Sequence, residues 1–176
     1  MTNYRRLNVQ GASWFFTVNL AERYGNHLLV DHIDLLRNAF MYIKRKRAFH
    51  MDAVVVMPDH LHCIWTLPPG DADFSTRWSL LKSHFSRAID KGESISPGRV
   101  KRRERGLWQR RFWEHLLRDQ ADYNNHVDYI HWNPVKHGLV ERVADWPHSS
   151  FHKFVEQGIY PENWCGKGVI DIDGGE

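Results

Sequence analysis

Cysteine is scarce: the 176 residues include two, Cys63 and Cys165, with no CxxC pair and no multi-cysteine framework. That argues against a cysteine-built metal knuckle and against a disulfide-stapled scaffold. No apolar stretch approaches the roughly 18 residues of a membrane span. The N-terminus carries Tyr4-Arg5-Arg6 but no apolar signal-peptide core, so the chain reads as cytoplasmic, with no membrane partner. Internal repeats and low-complexity tracts are absent, and no glycine-rich loop is present that would cradle a nucleotide phosphate.

What is present suits a single domain. Hydrophobic residues make up 42% of the chain, enough for one core, and a 26% charged fraction is too ordinary for wholesale disorder. We expect one domain over residues 1–165 and an acidic, flexible tail over 166–176. Net charge is only +3 but unevenly spread. Between Gly98 and Trp113 stand seven basic residues (Arg99, Lys101, Arg102, Arg103, Arg105, Arg110 and Arg111) against Glu104, whereas from Glu156 onward five acids face Lys167. A basic centre points to a polyanionic partner, and the acidic tail could compete for the same surface. Eight tryptophans are many for this length; most should be core, and those near the basic segment could stack on unpaired bases.

Residue pattern gives an order of elements. Residues 14–20 (WFFTVNL) read as a strand. Asp31 would cap a helix running to about Arg47, with Ile33, Leu36, Phe40 and Ile43 at helical spacing. Residues 51–57 and 60–67 read as strands of an antiparallel hairpin turned at Pro58-Asp59. A second helix spans about 74–90, buried through Trp78, Leu81, Phe85 and Ile89, and 91–106 should be a mobile basic loop. A fourth strand lies near 113–117, and a helix from Asp119 should stop near Asn133 because Pro134 follows. A short helix and irregular packing are expected over 146–160. The fold class expected is α+β: a ferredoxin-like antiparallel sheet with helices on one face, and an extra C-terminal helix that carries Tyr129.

Three features could carry chemistry. In a strand, His60 and His62 project to one face and Leu61 to the other, so two imidazoles could share a divalent ion. With 12 histidines in the chain, a chance HxH is the stronger reading of this motif taken alone. On the last helix Tyr123, Val127 and Ile130 form a core stripe, and Asp122, His126, Tyr129 and Asn133 an adjacent one. Tyr129 and Asn133 could present a phenol and an amide to one ligand, or Tyr129 could be an ordinary amphipathic residue with a wet hydroxyl. The basic stretch is either a solvated loop or a phosphate groove in which Trp108, Phe112 and Trp113 stack beside Arg110 and Arg111. Glu114-His115 stays open between a structural and a site role.

Taken together the motifs resemble the REP-associated tyrosine transposases, relatives of the single-tyrosine HUH transposases of bacterial insertion sequences. The matching strings are Tyr4-Arg5-Arg6, Gly11 with Trp14 to Thr17, Met57 to Trp65 (MPDHLHCIW), Trp108 to His115 (WQRRFWEH), Asp128 to Gly138 (DYIHWNPVKHG) and Asp145 to Ser150. They cover roughly residues 4–164. The resemblance implies His60 and His62 as metal ligands, Tyr129 as nucleophile, and Asn133 as the amide that completes the ligand set. It implies Mg²⁺ or Mn²⁺, since amide and phosphate oxygens favour a hard ion; zinc is the other candidate, though Cys63 should point away from the histidines. The implied partner is single-stranded DNA in REP-type hairpins, held by a monomer (a dimer remains open) that is cytoplasmic and nucleoid-associated. Arg5, Arg6, Lys101, Arg102, Arg103, Arg110, Arg111 and Lys136 are the candidate DNA-binding residues.

The chemistry implied is strand transfer. Tyr129 would attack phosphorus to leave a 5′-phosphotyrosine and a 3′-hydroxyl, and since one phosphodiester replaces another the hydroxyl can reverse the step. Two other readings compete: a non-catalytic hairpin-binding protein derived from the same fold, and a metal hydrolase that uses water.

Overall fold

The structure, a computed structural model, describes residues 7–93, 95–102, 104–170, 172 and 174–175. Arg5, Arg6, Arg103 and Asp171 lie outside the described residues. The β-branched and aromatic runs form four strands: β1 (Ser13–Asn19), β2 (His50–Val56), β3 (His60–Thr66) and β4 (Trp113–Leu116). They pair antiparallel in the order β2-β3-β1-β4, the ferredoxin-like arrangement expected from the sequence. The β2–β3 hairpin closes with the Met57 N–H donating to the His60 carbonyl at 2.8 Å.

Strand alternation sorts the side chains into two layers. On one face Trp14, Phe16, Val18, Leu61, Cys63 and Trp65 join a core covered by α2 (Ile33–Lys46) and α3 (Phe74–Ala88). Trp65 stacks on Trp78 of α3 with ring centroids 4.2 Å apart. Cys63 is buried in this layer, away from His60 and His62, as alternation required, and burial pushes its thiol up. On the other face Phe15, Ala53, Val55 and Ile64 meet Val127, Tyr129 and Ile130 of α5 (Gln120–Lys136). The tyrosine-bearing helix therefore lies across the sheet from α2 and α3.

Three boundaries differ from the sequence expectation. Asp31 is not a cap; it ends a short helix α1 (Leu28–Asp31), and His32 precedes α2 without a side-chain capping bond. The 91–106 segment is not simply a loop. It contains α4 (Pro97–Lys101), and Arg105 staples it to the end of α3 by hydrogen bonds to Glu93 and to the Ser86, Ile89 and Asp90 carbonyls. The Arg105 guanidinium beside Glu93 holds that carboxyl at about 2. Finally, α5 does not stop at Asn133 but runs through Pro134 to Lys136. The proline removes one donor only, close to the helix end, and both Asn133 and Pro134 are buried. The helix then ends in a Schellman turn, with Leu139 N–H on the Pro134 carbonyl, Gly138 N–H on the Val135 carbonyl, and Gly138 at φ 66°.

The outer side of α5 holds the C-terminal segment. His131 is fully buried, with Nε2 2.8 Å from the Ser150 hydroxyl and its ring among Phe151, Phe154 and Tyr160. Phe151 begins α6 (Phe151–Glu156), and the Ser150 hydroxyl accepts from the Val54 N–H of edge strand β2. Burial drives the His131 imidazole down to about 3. Its contribution to stability is complete above about pH 6.5, the unfolded value, and is lost as pH falls from there toward the folded value. We expect urea denaturation to show stability falling by up to about 1.4 kcal/mol per pH unit in that window on account of this group. His131→Gln should flatten the slope; an unchanged slope would contradict the assignment.

Candidate active site

The site is built on the sheet face that α5 covers. His60 and His62 of β3 are buried side by side, ring centroids 4.9 Å apart. Each is held through Nδ1. His60 Nδ1–H donates to the Asp59 carboxylate at 2.6 Å, and Arg23 clamps the other carboxylate oxygen at 2.6 Å. Burial alone would raise the Asp59 carboxyl, but the bonds from His60 and Arg23 outweigh it and bring it down to about 2. His62 Nδ1 lies 2.8 Å from the hydroxyl of Thr17, its register partner on β1. That hydroxyl gives its one hydrogen to the Gly174 carbonyl, so it accepts from His62. Both imidazoles then carry their proton on Nδ1 and would offer Nε2 to a ligand.

Helix α5 supplies the rest of the site. Tyr129 is fully buried, its ring 5.5 Å from that of His62. Its hydroxyl is not wet, as an amphipathic position would have it: Lys136 Nζ donates to it at 3.0 Å. Asn133, one turn beyond Tyr129, is fully buried, and the His137 ring lies 5.3 Å from that of His60. The helix must continue past Pro134 to bring Lys136 to Tyr129, so the misjudged boundary lies in the site itself.

The residues present fit a divalent ion. His60 Nε2 is a buried ring nitrogen with no hydrogen-bond partner among the described residues. An imidazole turned inward with its lone pair unused is what a metal ligand looks like before the ion arrives. A second group, His115, Asp122 and His126, brings its ligand atoms within 4.8 Å of one another. There the Asp122 carboxylate accepts from His115 Nε2 at 3.0 Å and from the Arg118 backbone and guanidinium. Burial works against its ionisation, yet His115 and Arg118 together hold it at about 2. This network ties the start of α5 to β4, with His115 at the β4 end of the tie. The Phe15 ring separates it from the His62 site, 4.8 Å from His126 and 5.6 Å from His62.

The remaining residues singled out from the sequence are dispersed. Lys101, Arg102, Arg110 and Arg111 are exposed, Arg102 lies 3.3 Å from Glu104, and Arg110 lies 3.8 Å from the same carboxylate. Trp108 is buried in the α2/α3 core and Phe112 packs against it, which removes both as stacking platforms. Trp113 remains 42% exposed at the sheet edge, in register with Thr17. Sequence reasoning missed Thr17, Arg23 and His137, and gave Asp59 no role. Only the strand period, which places Thr17 on the face of Phe15 and Asn19, could have hinted at the first.

The end of the chain enters the same site. Ile172 packs against the α5-side core, and Gly174 is buried against Tyr129. A side chain at 174 would come within 2.7 Å of the Tyr129 hydroxyl, and one at 175 within 2.5 Å of the Trp113 ring. Only glycine lets the backbone lie this close.

Known proteins place this geometry. The family described as Transposase IS200 like matches residues 18–133. A REP-associated tyrosine transposase of Escherichia coli (strain K12) is 47% identical over 176 residues, covering 100% of this chain and 98% of the relative. A putative REP-associated tyrosine transposase of Haemophilus influenzae (strain ATCC 51907 / DSM 11121 / KW20 / Rd) is 45% identical over 175 residues, 99% of each chain. A solved structure of a REP-associated tyrosine transposase bound to a REP hairpin superposes with a TM-score of 0.86 at 46% identity, covering 100% of this chain and 98% of that one. With a family match over most of the chain, relatives at 45–47% identity end to end and the same fold in a solved relative, the chain belongs to the IS200-like transposases and, within them, to the REP-associated tyrosine transposases.

Proposed function

We propose that this enzyme nicks and rejoins single-stranded DNA beside REP-type hairpins, with Tyr129 as the nucleophile and a 5′-phosphotyrosine as the intermediate. The observation that carries the reading is the placement of Tyr129, its ring 5.5 Å from that of His62 and its hydroxyl 3.0 Å from the Lys136 ammonium. The hairpin is taken from the relative solved with one bound.

His60, His62 and Asn133 would hold Mg²⁺ or Mn²⁺, which polarises the scissile phosphate and screens the charge that gathers on it. Thr17 and Asp59 keep the two imidazoles from turning. Lys136 fixes the phenol and places a positive charge where the attacking oxygen becomes negative. Burial keeps water from competing with the returning 3′-hydroxyl, which suits a reversible transfer better than hydrolysis. A monomer acting in the cytoplasm on nucleoid DNA is the form proposed. Among the described residues no helix is long and apolar enough to cross a membrane.

Incubation of the protein with a labelled REP-type hairpin strand and Mn²⁺, resolved on a denaturing gel, should give a protein–DNA adduct. Tyr129→Phe should abolish it, and His62→Ala should reduce it at least tenfold, the usual scale for disturbing a metal site. A mixture of the two variants should form no more adduct than His62→Ala alone if the site is complete within one chain. Cleavage without an adduct would favour the water-using hydrolase, and tight binding without cleavage a hairpin-binding protein.

The tail is read as a brake on this site. Its carbonyls occupy the Thr17 hydroxyl and the Asn19 amide, next to Tyr129. Removing residues 171–176 should raise the cleavage rate roughly tenfold, about what two hydrogen bonds of 1 kcal/mol or less each can hold back. No rise would dispose of the brake.

The exposed cations Lys101, Arg102, Arg110 and Arg111 are proposed to hold DNA phosphates, with Arg5, Arg6 and Arg103. Arg110→Ala and Arg111→Ala should each weaken hairpin binding and lower the salt slope of log affinity by about one. An unchanged slope would remove that residue from the interface.

A further inference from the structure

The unexplained polar group of the site is Asn19. Asparagine is depleted in strands, yet it ends β1 with only 5% of its surface exposed. It pairs in register with His60, two residues along from Thr17, whose hydroxyl meets His62. Directly paired residues of antiparallel strands share a face, with Cβ atoms about 5 Å apart, so the amide stands beside the His60 imidazole. Its orientation follows from its donor: Nδ2 reaches toward the Gly175 carbonyl at 3.4 Å, so Oδ1 is the other end. That oxygen is buried and has no hydrogen-bond partner among the described residues. His60 Nε2, on the neighbouring strand, is in the same condition.

Buried carbonyl oxygens are ordinarily satisfied, and one that is not calls for a ligand. Two orphaned lone pairs on paired residues of adjacent strands call for the same one, and a lone pair next to a lone pair attracts a cation. Resting on the metal-dependent reading above, we propose that Asn19 donates its amide oxygen to the divalent ion as a ligand additional to His60, His62 and Asn133. The two asparagines then bring oxygens from opposite sides, one from the sheet and one from α5. Two imidazoles and two neutral amides leave the ion its full charge toward DNA phosphate. They also leave room within six-coordination for phosphate oxygen and water. The tail carbonyl on Nδ2 links the two devices, because the amide that binds the ion also holds Gly175.

The test is Mn²⁺ uptake by the full chain, read from the loss of the free-ion electron paramagnetic resonance signal, without DNA and without activity. Asn19→Ala should bind Mn²⁺ about tenfold more weakly than the wild type, with His62→Ala as the reference loss. Asn19→Asp keeps the shape and adds charge, and should bind at least as tightly as the wild type, which also covers the case in which Asn19→Ala is poorly folded. Wild-type uptake with an unchanged affinity in Asn19→Ala, or an Asp variant that binds more weakly, would overturn the role of Asn19 alone. A wild type that takes up no Mn²⁺ would overturn the metal centre itself.

Discussion

Asp59 and the Thr17 hydroxyl each take the Nδ1 side of one imidazole, so that His60 and His62 face helix α5 with Nε2. Every other part of the site depends on this constraint. An imidazole free to rotate presents either nitrogen and binds an ion weakly; one pinned from behind presents a lone pair at a fixed position. The pinning groups are themselves fixed, Thr17 by its place in the central strand and Asp59 by the Arg23 guanidinium. The sheet thereby supplies a rigid half-site, and the helix brings the half proposed to react.

That division explains the two cores. The α2/α3 layer is a dense aromatic pack that includes Trp14, Trp65, Trp78 and Phe16, and it stiffens the sheet without touching the chemistry. The α5 layer is smaller and is interrupted by polar groups: Thr17, Asn19, His60, His62 and Asn133 are all buried there. Polar groups buried at this density destabilise a fold unless each finds a partner. Here some partners belong to the protein, and others are the cation and the DNA that the site is proposed to receive. The glycines of the tail contribute two carbonyls to this layer, one to the Thr17 hydroxyl and one to the Asn19 amide.

Much of this was legible in the sequence, wherever a simple period ruled. Strand alternation placed His60 and His62 together and sent Cys63 to the far layer. Helical spacing put Tyr129 and Asn133 on one face with Asp122 and His126. What could not be read was long-range. Thr17 is 45 positions from His62, and nothing local marks it as the hydroxyl that holds an imidazole. Pro134 carries a strong local stop signal, yet burial of Asn133 and Pro134 against the sheet and a Schellman turn three residues on outweigh it. Arg105 reads as one more DNA-facing cation, but Glu93 and three backbone carbonyls consume it. Charge pattern located the tail as a competitor for a basic surface; among the described residues of the tail it is Gly174 and Gly175 that lie against Tyr129 and Trp113.

The central claim is that one phenol takes the DNA strand, and peptide mapping addresses it most directly. After reaction with a REP-type hairpin strand and Mn²⁺, nuclease trimming and tryptic digestion would release the 119–136 peptide for tandem mass spectrometry. The account predicts a nucleotide remnant on Tyr129 and on no other residue. An unmodified peptide alongside fully cleaved DNA, or a remnant on Tyr123, would contradict it.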